Sequence, residues 1–326
     1  MRPRTKKALT GARKRALKSK WFYCFIFFSF ALTFGYARYQ RYLFIPDDPG
    51  VFQINDYSLS GDRPFYQTVA DRELTDKLVE QKQSQAFRYL ARRSYDLYRR
   101  EYGKGRLLTQ YVKVGPDQFG DIDWMVNDAC DVLGVKDVPD VYVGDTGQRE
   151  IVLTNLSDPS LIICPSLLSA FSPDELRFLL AREIAHIRCD HVLLLDMIRT
   201  MRTVMDAAVP DFLTVAVFGS LGLELVQWLK EAEVSADRGA LVVTGNIDAA
   251  TMALIKLNVG VKFESNYGSP NAAAFARQID DVGEERLTSA AAAMNELRNP
   301  NSFLTVRVRH LLGWYESNPE IFTEEH

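Results

Sequence analysis

The stretch from Ser172 to about Asp196, S-P-D-E-L-R-F-L-L-A-R-E-I-A-H-I-R-C-D-H-V-L-L-L-D, constrains this chain more than any other. Its start predicts a helix: Ser172 can cap the first free amides, Pro173 stands where a missing N–H costs nothing, and Glu175 completes a capping box. Leu176, Phe178, Leu179, Leu180, Ala181, Ile184, Ala185 and Ile187 then leave little surface for water, so the helix is expected in the core. A buried helix should not carry charge without a reason. Yet Arg182, Glu183 and His186 fall within two turns, and positions four apart, such as 182 and 186, share a face.

That pattern is one residue away from a zinc motif. In H-E-x-x-H, two imidazoles on one helical face hold the metal and the intervening Glu acts as general base on the metal-bound water. Here Arg182 stands at the first His, Glu183 at the base and His186 at the second ligand. A third ligand normally comes from another helix. The candidate is Glu233, in E-V-S-A-D-R, with Asp237 one turn later on the same face.

Taken together, the two segments resemble the HtpX-type zinc metallopeptidases, peptidase family forty-eight, which also holds the CAAX prenyl endopeptidases. Members read S-P-x-E-L-x-x-x-x-x-H-E-x-x-H-x-x-x-x-H, then a hydrophobic helical hairpin, then E-x-x-x-D-R. This chain matches at Ser172, Pro173, Glu175, Leu176, Glu183, His186, His191, Glu233, Asp237 and Arg238, and departs at Arg182. The similarity runs from about Val112 to Tyr315. Near its end the family has a His-Pro pair followed by an Arg; Pro300 and Arg307 match, while Asn299 replaces the His. The resemblance implies a mostly helical α+β, zincin-type domain with a small sheet beside the zinc helix. It also implies a peptide substrate added as a strand to that sheet, which gives Ile151–Asn155 and Leu161, Ile162, Ile163 and Cys164 a binding role.

The chemistry turns on Arg182. A guanidinium has five donors, no acceptor and a proton it does not lose, so it cannot ligate zinc. The zinc that the resemblance implies is therefore expected to be weak or absent, with the Arg head paired to Glu233 or Glu183 in its stead. His191 does not replace the lost ligand if the helix continues, because five residues turn it by about 140° net. Asp237 is expected to accept from His186 and so orient its ring, with His191 and Arg238 supporting the ligands from behind. Cys189, three residues after His186, is a candidate soft ligand.

Eleven of the 39 basic residues and none of the 42 acidic ones lie in residues 1–46, so the rest of the chain carries an excess of 14 acidic charges. That balance excludes nucleic acid as a partner. The basic tail 1–20 leads into an uncharged run from Trp21, and residues 21–44 are expected to form one transmembrane anchor. Nine positive charges before it place the N-terminus in the cytosol of a single-pass protein, in a bacterial inner membrane or an organellar one. Residues 45–70 read as linker, 71–111 as a membrane-proximal helical region and 112–326 as the metallopeptidase-like domain.

Within that domain, Leu107–Val114 reads as a strand and Asp121–Leu133 as a helix stopped by Gly134. Short strands follow at 138–144, 151–155 and 161–164. Phe212–Leu223 reads as half of a buried hairpin, Gln227–Thr244 as the second site helix, and Asp248 as the cap of the next. Further helices are expected from Ser269 and over the Ala-rich 289–298. Cys24, Cys130, Cys164 and Cys189 form no C-x-x-C pair and read as free thiols.

Two functions fit. In the first, a membrane-anchored, zinc-deficient relative binds protein segments, alone or beside an active homologous peptidase. In the second, a working metalloendopeptidase uses an unorthodox ligand set with Glu183 as base.

Overall fold

In the computed structural model, the described residues are Ile54, 57–146, 151–154, 159–206, 211–259, 270–282 and 303–322, all within the unit Phe52–His326. The expected tail, anchor and first part of the linker lie outside them, as do Asn299, Pro300 and the Ala-rich segment. Among the described residues no helix is long and apolar enough to cross a membrane.

Helix α1 (Val69–Glu80) is capped by Thr68, whose hydroxyl accepts from the Asp71 amide. A single 3-10 turn, Gln81–Gln83, separates it from α2 (Gln85–Tyr102), capped by Ser84. Where a strand was expected, Lys104–Gln110 forms α3 and only Val112–Lys113 forms β1. Tyr111 makes the bend between them in extended backbone. Helix α4 (Gly120–Leu133) ends where expected, at Gly134 with φ 71°, a left-handed cap that suits glycine.

Three strands follow: β2 (Asp140–Val143), β3 (Ile151–Thr154) and β4 (Ser160–Ile163). The sheet order is β1-β2-β4-β3, with β2 and β4 parallel and the outer pairs antiparallel. Strand β4 is thus hydrogen-bonded on both sides, Leu161 facing Val141 on one and Leu153 on the other. Its backbone has no edge left for a peptide, so the binding role expected of Leu161, Ile162, Ile163 and Cys164 does not hold for them. Among the described residues the edges belong to β1 and β3, and β3 is the edge next to β4.

After the single turn α5 (Pro165–Leu168), helix α6 (Pro173–Arg188) begins with the expected capping box. The Ser172 hydroxyl accepts from the Glu175 amide at 3.3 Å and the Glu175 carboxylate accepts from the Ser172 amide at 2.8 Å. The helix does not run on to Asp196. It closes at Cys189, the chain turns through Asp190 at φ 62°, and α7 (Val192–Asp206) starts afresh. Asp is among the few side chains that tolerate this conformation. Its carboxylate accepts from the Ser60 amide and hydroxyl, both at 2.8 Å, which holds the turn.

Helix α8 (Asp211–Thr244) is one continuous helix of 34 residues, in place of the expected hairpin and second site helix. No proline interrupts it, and its three glycines, Gly219, Gly222 and Gly239, cost only about 1 kcal/mol each. Asn246, and not Asp248, caps α9 (Ile247–Val259) by accepting from the Ala249 amide. Helices α10 (Ala272–Val282) and α11 (Leu304–Ser317) follow among the described residues.

The core lies where α6 packs against α4, α8 and α9. The crossing with α8 is close: a Cβ built on Gly239 would lie 2.7 Å from the Ala185 Cβ and 2.7 Å from the Tyr66 ring. This crossing brings Arg182 on α6 to Glu233 on α8.

Candidate active site

Arg182, Glu183 and His186 all face inward, on the side of α6 that meets α8. The Arg182 guanidinium donates from Nη1 to Glu183 Oε1 at 2.6 Å and from Nη2 to Glu233 Oε2, and its Nε stands 3.4 Å from Asp237 Oδ1. One cation therefore sits among three carboxylates. Burial works against its charge, but Glu233, Glu183 and Asp237 together hold it protonated. Burial likewise disfavours the Glu233 carboxylate, yet Arg182 and Arg307 keep it well below the ordinary range.

Arg307 reaches the same cluster from α11. It donates from Nε and Nη2 to the two oxygens of Asp237 at 2.8 and 2.7 Å, and its Nη1 lies 3.0 Å from Glu233 Oε2. Such two-pronged contacts suit the planar guanidinium. Asp237 accordingly meets Arg307 and Arg182, and not His186 as expected. Arg238, its neighbour, places its guanidinium over the Trp314 ring, 5.4 Å from the centroid.

His186 is oriented instead by His191. Because α6 ends at Arg188, the argument from an uninterrupted helix does not apply, and the two Nδ1 atoms lie 2.9 Å apart. His191 Nε2 is 3.0 Å from Asp71 Oδ2 on α1, and the ring edge rests on Trp228. Asp71 also accepts from Gln67 at 3.0 Å and Thr75 at 3.1 Å, and Thr75 in turn accepts from Trp228 Nε1. Burial would raise the Asp71 carboxyl, but His191 and the surrounding donors hold it lowered.

With Asp71 accepting at His191 Nε2, a neutral His191 accepts at Nδ1 from His186 Nδ1. Burial, reinforced by Arg182, keeps His186 from gaining a charge. A neutral His186 that donates to His191 presents a bare Nε2, by the hydrogen-bond logic of tautomers. That Nε2 is buried without a hydrogen-bond partner among the described residues, 3.9 Å from Glu233 Oε1. It borders a cavity of about 30 Å³, room for about one water, lined also by Arg182, Glu183, Glu233, Ile151 of β3, and Arg199 and Arg202 of α7.

Cys189 lies apart from this cluster, beside Tyr66 and Asp71, and burial pushes its thiol well up, so it stays protonated. Among the described residues no three His, Cys, Asp or Glu side chains converge as a metal-holding group. Asp71 was not anticipated. It lies 120 residues before His191, and no local pattern marks it.

The sequence profile of peptidase family M48 matches residues 153–315, half of the chain. This chain belongs to peptidase family M48. The matched stretch holds Arg182, Glu183, His186, Glu233, Asp237 and Arg307, while Asp71 precedes it. A plastoglobule-localized metallopeptidase 48, chloroplastic, from Arabidopsis thaliana is similar to this M48 chain, with 28% identity over 151 residues. The match covers 46% of this chain and 43% of that relative, so the chain spans less than half of the relative's length. No solved structure matches the chain.

Proposed function

We propose that this M48 chain is an HtpX-like homologue in which an arginine head has replaced the zinc ion, and that it holds protein segments without hydrolysing them efficiently. The observation that carries this reading is the Arg182 guanidinium between Glu183 and Glu233. Zinc is the cofactor that the family resemblance implies, and the residues do not fit it. Arg182 has no lone pair, and the Glu233 carboxylate is already engaged by two guanidiniums. Among the described residues this leaves His186 Nε2 as the one nitrogen at the centre with a lone pair to offer, where a catalytic zinc uses three protein ligands. A buried cation in the middle of three carboxylates preserves the charge balance and hence the fold. Removing it would cost about 3–5 kcal/mol.

Segment binding belongs at β3, the edge strand whose Ile151 borders the cavity beside Arg182. The basic N-terminal segment and the uncharged run Trp21–Tyr36 support a membrane location, single-pass with the N-terminus in the cytosol. The plastoglobule-localized relative favours an organellar membrane. An active homologous peptidase is a natural partner for a binding-only copy of the same fold.

One observation favours a working endopeptidase: His186, whose Nε2 has no hydrogen-bond partner among the described residues, lines the same cavity as Glu183, as a ligand and a base would. Metal analysis of the purified full chain, paired with a peptide-cleavage assay, separates the two. The expected result is far less than one zinc per chain and no cleavage in the wild type, with zinc recruited on Arg182→His. Near-stoichiometric zinc in the wild type, lost on Glu233→Ala, would overturn the binding-only reading.

A further inference from the structure

The edge strand beside the site is not bare. All four residues of β3 are buried, and the Leu153 carbonyl accepts a hydrogen bond from Arg199 Nη1 on α7. The same nitrogen lies 3.4 Å from Asp196 Oδ1, one turn earlier on that helix. Arg199 is thereby held between the sheet edge and its own helix, with a side chain only 16% exposed. Arg202, three residues on and so on the same face, lines the same cavity as Arg199, Arg182 and Ile151.

Two consequences follow for a segment that adds to β3. A pairing peptide needs backbone acceptors on the edge, and the Leu153 carbonyl is in use. To take it, the segment must lift a largely buried guanidinium off its acceptor, and a buried guanidinium left without that acceptor is unfavourable. A segment that brings a carboxylate to the same place repairs the loss, since carboxylate and guanidinium form the strongest of the side-chain hydrogen bonds. Arg202 adds a second positive charge beside it. A segment with neutral side chains offers no such compensation.

We propose that Arg199 is a latch on the outer edge of the sheet, and that the ligand which opens it is an extended peptide carrying an acidic side chain next to its pairing residues. The proposal rests on the reading that protein segments bind at β3, and it names their chemical class and what regulates their entry.

The test uses two fluorescently labelled ten-residue peptides of alternating Thr and Val, one with a central Glu and its twin with Gln, titrated by anisotropy into the full chain. Each also carries a photoreactive group for mapping the contact. The Glu peptide is expected to bind about 10- to 100-fold more tightly than the Gln twin, the range for one charge-assisted hydrogen bond. Arg199→Ala should erase that preference by tightening the Gln twin and weakening the Glu peptide, and both should crosslink at 151–154. Arg199→Lys serves if the alanine variant does not fold: it keeps the charge, loses the fork, and should narrow the preference. Equal affinity of the twins for the wild type, or a preference untouched by either variant, overturns the latch while segment binding stands. Failure of both peptides to bind wild type and variants alike overturns the latch together with the segment-binding reading, as does crosslinking confined to another surface.

Discussion

Arg307 holds Asp237 with two parallel N–H donors, at 2.8 and 2.7 Å, in a place where each side chain is only 1% exposed. Asp237 is on α8 and Arg307 on α11, so the pair ties the last helix to the helix that carries Glu233. Arg307→Ala would leave Asp237 and Glu233 with Arg182 as their shared cation. A loss of about 3–5 kcal/mol is expected in urea unfolding. A loss under about 1 kcal/mol would mean that water reaches the pair.

Asp71 accepts from three buried donors, on Gln67, Thr75 and His191. Asp71→Ala strands all three, at about 1–3 kcal/mol each for unsatisfied groups. The expected outcome is a fall in Tm by well over 10 °C, or failure to accumulate folded protein. Asp71→Asn should be milder in stability but should move the His191 and His186 ring resonances in NMR, because the acceptor for His191 Nε2 loses its charge.

Two carboxylates respond to pH in opposite directions. Burial, only partly opposed by Arg199, pushes Asp196 up to about 7. A raised carboxyl favours the folded state when protonated, so its contribution is full below the unfolded value near 3.8 and is lost as pH rises to about 7. The loss is up to about 4 kcal/mol by linkage. Glu233 is held below its ordinary value of 4.5, so its contribution is present above that pH and fades as pH falls below it. Unfolding free energy should therefore peak between the two regions. Asp196→Asn should flatten the slope between pH 4 and 7 while leaving the acid limb unchanged; an unaltered slope would put the titration elsewhere.

Gly239 is the point where α8 passes closest to α6. Gly239→Ala would set a methyl group 2.7 Å from the Ala185 Cβ and from Tyr66, and the helices must part to admit it. Overpacking of this kind costs about 1–3 kcal/mol. Because Glu233 is on the displaced helix, Arg182 should become more exposed, which hydrogen exchange along Pro173–Arg188 would report.

The parts of this site that the chain announces are the local ones. Ser172, Pro173 and Glu175 mark the start of α6 because capping is decided within four residues. The contact of Arg182 with Glu233 was legible too, since a cation within an apolar helix needs an anion and the second motif supplies one. What depends on distant partners was not legible. His191 was expected to face away from His186, and it meets it because an aspartate adopts a left-handed conformation where neither Gly nor Pro signals a break. Asp237 was assigned to His186, and Arg307, 70 residues later, takes it instead. Of the two strands given a binding role, β4 was not recognisable as an inner strand for a related reason. Periodicity finds β3 and β4 equally well, whereas which of them lies at the edge depends on β2 pairing with β4 in parallel.

The turn at Asp190 reaches further than one hydrogen bond. By stopping α6 early it lets His191 fold back and take up the carboxylate of α1, a helix that precedes the stretch matched by the family profile. An excised fragment limited to residues 153–315 would retain every residue of the recognisable motif and still leave His191 Nε2 without the carboxylate it meets. The stretch that carries the motif thus draws a partner for its own site from a helix outside it.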